Sequence, residues 1–521
     1  MFEFDELGQS GFSYGMADER QKTGFTLEIA VFDCGVVVMI YEIIGSRIVA
    51  PFIGTSTYVW TSLIGVILAA LSLGYWLGGR IADRRPDVKV LSSAIFAAGG
   101  LISVTVLVKD VALAFVADAA IGLEIKSVIA AVVLFSPASV ALGFVTPYAV
   151  KLKLSSIDES GSTVGRLYAL STVGSIVGTF AAGFVLIPFV GSVRTLYFLA
   201  AVLFVLSIVL AGVSLTRSRI AFFTIFVIGV SGSEIGMYHA AQTNSLHDID
   251  TEYSRVRVFQ TKEPESGRVI EAMAIDPFFI QSAVYLDSDE LVFDYNKYYH
   301  LVRYLKPDFQ RALMIGGAGY TFPREYLRTY PTATIDVVEI DPQMTEIARK
   351  YFRLRDDPRL NIVHTDGRTF LNSAPDAAYD AVLMDAFGSL FTVPYQLTTL
   401  EAVRQIHRVL KPDGIVIFNL GGSISGPASQ FLQAELATYS QIFPNVQLYK
   451  VNPDRSDTQL QNLIITACKS QCPTANTTDP QIATLLNHRI ATVIQPNLQP
   501  LTDDLAPVEY YNSSALGTYR R

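Results

Sequence analysis

The hydrophobic pattern changes character near residue 240. Before that point lie long apolar runs, at roughly 25–49, 57–79, 89–108, 127–150, 167–189, 194–215 and 220–239. A helix needs about 20 apolar residues to cross about 30 Å of hydrocarbon. Backbone groups in lipid must satisfy one another, so these runs predict about seven spanning helices. A shorter apolar stretch, Val111 to Ile125, contains Asp118 and Glu124 and predicts an interfacial helix. From about Thr251, TEYSRVRVFQTK and GRVIEAMAID alternate apolar with polar, as half-buried antiparallel strands do. Short apolar strands then alternate with helical patterns, from RALMIGGAGY to DGIVIFNL. That order predicts a mostly parallel, doubly wound α/β sheet covered on both faces.

The expected organisation is a polar tail at 1–23 and a transmembrane helical domain at 24–240. A small antiparallel β subdomain at 251–286, an α/β domain at 287–470 and an extension at 471–521 follow. Composition agrees with this division. Charged residues are 17% of the 521, against about 25% in soluble proteins. Only 24 of the 88 fall between Gly24 and His239, 11% of that stretch, against 21% elsewhere. Mean hydropathy is +0.35. The net charge of −8 gives no case for nucleic acid, whose binding needs clustered Lys and Arg. The N-terminus is acidic and lacks a basic n-region, so no cleavable signal peptide is expected. Three cysteines are too few for a disulfide scaffold. Cys468 and Cys472 either bridge in an oxidising compartment or are unrelated thiols.

Lys and Arg in short loops set orientation. Arg80, Arg84, Arg85 and Lys89 follow the second run, Lys151, Lys153 and Arg166 the fourth, Arg217 and Arg219 the sixth. The opposite loops carry Lys109, Lys126 and Arg194. This predicts an integral, multi-pass protein, as of a bacterial inner membrane, with a cytoplasmic N-terminus. Seven spans would put the C-terminal half outside. Gly74/Gly78 and Gly174/Gly178 are GxxxG pairs, which serve packing within one bundle or a dimer interface. A homodimer is expected. Glu28, Asp33, Glu42 and Arg47 in the first run, and Glu234 in the last, are costly in lipid. Glu42 and Arg47 could pair, or a carboxylate could bind a cationic amine or headgroup. Pro137 and Pro147 predict a bend in the fourth helix.

Ligands of such sheets bind beyond the carboxyl ends of the strands. Gly316, Gly317 and Gly319 follow the first strand, Glu339 ends the second, Asp366 follows the third and Asp385 ends the fourth. Glycines let a backbone approach a ligand, and an acid at the second strand end can hold both ribose hydroxyls. A nucleoside site is expected. The run Gly317-Ala318-Gly319-Tyr320-Thr321-Phe322 lacks a GxGxxG turn, which argues against NAD.

At these residues the C-terminal half resembles the spermidine synthase family of polyamine aminopropyltransferases, from about Tyr253 to about Ala467. IGGAGYTFPRE at 315–325 is similar to the family's glycine-rich turn, and VVEID at 337–341 to its ribose-binding strand. HTDGRTF at 364–370 resembles its adenine-contacting segment, YDAVLMD at 379–385 its active-site strand and YYH at 298–300 its substrate loop. YEIIGSRIVAPFIG at 41–54, GYWLGGRIADRR at 74–85 and LTDDLAPVEYY at 501–511 resemble segments of membrane-bound members. The resemblance implies a methyltransferase-like fold and transfer of an aminopropyl group from decarboxylated S-adenosylmethionine to an amine such as putrescine. Methylthioadenosine leaves, and no metal takes part. It implies Asp385 and Tyr299 as catalytic residues, and Gly316, Gly317, Gly319, Glu339, Asp366 and Gly367 as donor-binding residues. Gln281, His300, Tyr320, Asp503 and Asp504 are the implied substrate-binding residues.

Three carboxylates of the family pattern are missing: Gly319, Gly388 and Leu301 stand in their places. Each would have faced an amine or the sulfonium. The alternatives are therefore S-adenosylmethionine-dependent methyl transfer or sulfonium cleavage, or, in another class, a transporter or sensor that binds a nucleoside or polyamine. The donor is a cytosolic metabolite, which argues for a cytoplasmic catalytic half against the count of spans.

Overall fold

A computed structural model describes residues 7–54, 56–154, 160–214, 216–243, 246–275, 279–386, 393–473, 477–491 and 497–513, with backbone alone for 7–23, 234 and 236–243. Glu234's side chain and Gly388 lie outside these. The chain forms two units, Met1–His239 and Ala240–Arg521.

The first unit is helical throughout. Its helices are α1 Leu7–Ile53, α2 Thr57–Arg84, α3 Val88–Asp118, α4 Leu123–Gly143, α5 Val145–Lys153, α6 Ser160–Ala181, α7 Ile187–Val190, α8 Ser192–Ala211 and α9 Arg217–Thr243. Among the described residues, five segments are long and apolar enough to cross a membrane: Thr57–Arg84, Val88–Asp118, Leu123–Lys153, Ser160–Val190 and Ser192–Ala211. They coincide with the second to sixth apolar runs. The expected polar tail is already helical from Leu7, since Met16, Ala17, Glu19, Arg20 and Lys22 are good helix formers. The separate interfacial helix expected over Val111 to Ile125 is absent. Val111–Asp118 is the end of α3, where Leu113 and Val116 are buried, and Leu123 opens α4 after a turn at Gly122. The long segment from Leu123 divides at Phe144, three residues before Pro147, which has no N–H to return to the helix.

Both GxxxG pairs act inside this unit. A Cβ on Gly74 would sit 2.3 Å from the Val140 carbonyl oxygen, and one on Gly78 2.5 Å from that of Phe144. On Gly174 and Gly178 it would sit 2.2 Å and 2.4 Å from the Phe32 and Val36 oxygens. The bare glycines let α2 lie on α4 and α5, and α6 on α1, at backbone distance.

The second unit begins with the meander β1 His247–Asp250, β2 Arg255–Lys262, β3 Val269–Ala274 and β4 Ser282–Tyr285, one strand earlier than expected. One face (Val256, Val258, Met273, Val284) joins the main core. Helical turns α10 Asp294–Lys297 and α11 Val302–Leu305 follow. Then come β5 Arg311–Ile315, α12 Thr321–Thr329, β6 Thr334–Glu339, α13 Pro342–Tyr351, β7 Leu360–His364, α14 Gly367–Ser373, β8 Tyr379–Met384, α15 Leu400–Val409 and β9 Leu410–Gly422. The chain continues through α16 Gln430–Ser440, β10 Asn445–Lys450, β11 Gln461–Cys468, α17 Pro480–Asn487 and α18 Val508–Ser513. The seven-stranded sheet runs β10-β11-β9-β8-β5-β6-β7, with β11 antiparallel to both neighbours. Its central strand β8 is buried end to end because apolar clusters cover both faces. The order reverses between β5 and β8, where a ligand crevice forms.

The extension after residue 470 packs back onto the same sheet. Ile482 and Leu485 enter one apolar cluster, Leu501 and Val508 the other. Cys468 and Cys472 form a disulfide, with their Cα atoms 5.5 Å apart.

Candidate active site

The glycine-rich turn after β5 is shaped by its neighbours. Gly316 has φ +98°, and a Cβ there would lie 2.4 Å from the Asp385 carbonyl oxygen, so only glycine fits. Ala318 and Tyr320 also have positive φ, 44° and 51°. Glu339 locks this turn. Its Oε2 accepts from the Gly317 and Ala318 amides, each at 2.9 Å, and its Oε1 from the Asp341 amide at 3.0 Å. Burial raises the Glu339 carboxyl, and these amides pull it back. The Gly319 amide donates to Ser282 Oγ at 3.1 Å. Three successive amides are thus committed, so the turn is built unlike a phosphate cradle, which keeps such N–H groups for the ligand.

Acceptors without donors flank the turn. Gln281 Oε1, Asp341 Oδ2 and Gln343 Oε1 are buried and have no hydrogen-bond partner. Each costs about 1–3 kcal/mol unless a ligand supplies a donor. Hydroxyl and amino groups of a nucleoside are suitable donors. Ile340, apolar and 39% exposed, stands beside them. Asp366 caps α14 by accepting from the Thr369 amide at 2.8 Å. Gly367 is close-packed, as a Cβ there would meet Ile315 Cγ2 at 2.8 Å.

Asp385 directly follows β8. Met384 pairs with Phe418 across to β9, so the next residues, Asp385 and Asn419, are also neighbours. Asn419 Nδ2 donates to Asp385 Oδ1 at 3.0 Å. The Tyr299 hydroxyl reaches the same carboxylate and lies 3.1 Å from the Met384 carbonyl oxygen. Burial pushes the Asp385 carboxyl up to about 7, against the lowering effect of Asn419 and Tyr299. Burial and then the charge of Asp385 hold the phenols of Tyr295 and Tyr299 well above their ordinary range.

The other expected residues separate by their partners. His300 is buried, with Nδ1 2.7 Å from the Tyr330 hydroxyl and Nε2 3.6 Å from Glu325. The Tyr320 hydroxyl meets Thr345 Oγ1 at 2.7 Å, inside the core. Asp503 accepts from Arg368 Nη2 at 2.8 Å and Thr399 Oγ1 at 2.6 Å, tying the extension to the domain. These bonds give His300, Tyr320 and Asp503 partners within the protein. Asp504 is exposed. Gln281, with its unpartnered oxygen, is the substrate expectation that stays beside the turn. The surroundings of two positions where a carboxylate was expected are apolar or crowded. A Cβ on Gly319 would lie 2.6 Å from Ser282 Cβ, and Leu301 is fully buried core. Sequence reasoning missed Ser282, Tyr295, Asn419 and Asn462. Asn419 alone left a signal, as a polar residue near the end of the apolar run IVIFNL.

Residues 294–475 match the family model described as the spermine/spermidine synthase domain. Those residues are a spermine/spermidine synthase domain. The chain is 25% identical over 238 residues to a polyamine aminopropyltransferase of Vibrio vulnificus, covering 45% of this chain and 76% of that protein. It is 24% identical over 440 residues to polyamine aminopropyltransferase 1 of Streptomyces coelicolor, covering 77% of each. As the second unit, Ala240–Arg521, is little more than half the chain, that second match extends into the helical unit. The solved probable spermidine synthase of Corynebacterium glutamicum aligns at 21% identity and TM-score 0.40, over 52% of this chain and 94% of that one. The family expected from the sequence, and with it a transferase of the aminopropyltransferase type, is the one found.

Proposed function

We propose that the protein is a membrane-anchored aminopropyltransferase that uses decarboxylated S-adenosylmethionine and a small amine such as putrescine. The observation that carries the mechanism is Asp385, a half-buried carboxylate at the sheet's switch point whose partners among the described residues are neutral. An ammonium nitrogen cannot attack until it has lost a proton. Asp385, with its carboxyl near 7, is matched to take that proton at neutral pH. The nitrogen then forms a C–N bond as the carbon–sulfur bond of the sulfonium breaks, and sulfur keeps the electron pair in methylthioadenosine. Glu339 acts by fixing the turn, and Gln281, Asp341 and Gln343 hold the donor's polar groups. Tyr299 orients Asp385.

The crowding at Gly319 favours a second reading, methyl transfer from S-adenosylmethionine or sulfonium cleavage. One assay distinguishes them. Detergent-purified protein is given labelled donor of either form, with and without putrescine. Methylthioadenosine with spermidine supports the first reading. S-adenosylhomocysteine, or methylthioadenosine without amine, supports the second. Asp385→Asn should lower turnover at least a hundredfold while nucleoside binding persists. Unchanged turnover sinks Asp385 as the base.

In this reading α1 and α9 complete seven spans in a bacterial inner membrane, and the protein is a homodimer. The basic loops and an odd number of spans favour a synthase domain outside the cytoplasm. The Cys468–Cys472 disulfide, which needs an oxidising compartment, favours the same side. The cytosolic origin of the donor favours the other. An active C-terminal phosphatase fusion supports the outside assignment, and an inactive one with an active reporter for the cytoplasm overturns it.

A further inference from the structure

Asn419 is itself held by a second carboxamide. It is 6% exposed and gives one end, Nδ2, to Asp385. Its other end, Oδ1, accepts from Asn462 Nδ2 on β11 at 3.0 Å. A carboxamide has donors at one end and an acceptor at the other, and rotation of the group exchanges them. An ionised carboxylate only accepts. An asparagine alone beside Asp385 could turn its oxygen toward the carboxylate. Asn462 opposes that rotation by supplying a donor on the far side. The residues that follow it on the strand, Leu463, Ile464 and Ile465, are apolar and fully buried.

We propose that Asn462, acting through Asn419, is a positioning residue that holds the Asp385 carboxylate in one orientation and favours its ionised form. This rests on the reading of Asp385 as the proton acceptor. The titratable groups facing Asp385 among the described residues are Tyr295 and Tyr299, from the helical turns before β5. Asn419 faces it from β9, and from β5's turn the uncharged Gly316. Loss of the Asn419 bond removes a lowering influence, so the Asp385 carboxyl moves further up.

The test is an Asn462→Leu variant, with Asn462→Gln as the conservative partner. Asn462→Leu should lower kcat about tenfold at pH 7 and recover at higher pH, with the acid limb of kcat/KM displaced upward and the donor KM unchanged. Asn462→Gln should restore part of the loss. The pair Asn419→Ala with Asn462→Ala should be no worse than Asn419→Ala alone, as one residue works through the other. An unmoved pH profile, or losses that multiply in the pair, overturns the proposal. A readout without turnover is the infrared band of the protonated Asp385 carboxyl, assigned by its loss in Asp385→Asn. Its midpoint should rise in Asn462→Leu, and an unmoved midpoint overturns the relay. If the parent enzyme transfers no aminopropyl group, the functional reading fails while the infrared titration still decides the relay.

Discussion

Glu28 in the helical unit is a buried carboxylate and Asp385 in the synthase domain a half-buried one, and their company differs. Glu28 is 8% exposed and meets two cations. Lys153 Nζ pairs with it closely, and Arg166 donates from Nε to Oε1 at 2.8 Å and from Nη2 to Oε2 at 2.9 Å. The three residues tie α1, α5 and α6 together at one end of the bundle. Asp385 is met by an amide and a phenol, which carry no charge. A carboxylate among cations is a fastening. A carboxylate among neutral donors keeps its affinity for a proton, and that affinity is what an amine transferase needs.

Removing each charge should expose the difference. Folded Asp385 titrates near 7, and the unfolded chain near the ordinary 3.8. The folded state therefore binds this proton more tightly, and stability falls as pH rises from about 4 to about 7. Asp385→Asn escapes that loss. In denaturation experiments it should be more stable than the parent at pH 8, by up to about 4 kcal/mol, with no difference near pH 4. A variant less stable at pH 8 would refute the burial argument. Glu28→Gln should do the reverse. Lys153 and Arg166 lose their common anion, and thermal stability in detergent should fall by about 1–3 kcal/mol, discounted because Arg166 is largely exposed. Its kcat should not change.

Glycines extend the comparison to uncharged groups. Gly178→Ala puts a Cβ 2.4 Å from the Val36 oxygen and should cost about 1–3 kcal/mol by parting α1 from α6. Gly79→Ala has nothing within 4 Å and should be neutral or slightly stabilising by the same melting measurement. Cys468→Ser opens a loop of only four residues' separation and should cost about 2 kcal/mol or less. Alkylation of the parent after reduction, and not before, checks that the bridge exists.

Spans and strands were legible because they follow from local pattern. An apolar run of spanning length predicts a helix wherever the rest of the chain goes, and five such runs are where the pattern puts them. Strand ends with glycine or acid marked the crevice, since side chains beyond an apolar strand must lie at its mouth. The stretch from Val111 to Ile125 misled because apolar residues continue across a turn, and periodicity does not register the break at Gly122. The internal partners of His300, Tyr320 and Asp503 were not legible for another reason. These three residues suit a substrate by type and position, but each has a partner far along the chain, such as Arg368 for Asp503.

By itself, then, the sequence determined the two-part architecture, the family and the residues at the strand ends, because periodicity and short motifs act over a few neighbours. Only the tertiary structure decided which polar groups meet. Glu28 found cations 125 and 138 residues away through helix packing, and Asp385 found Asn419, itself bonded to Asn462, through sheet register. Contacts across such separations depend on how elements are laid against each other. No local pattern records that, and it is what distinguishes the fastening carboxylate from the one proposed to react.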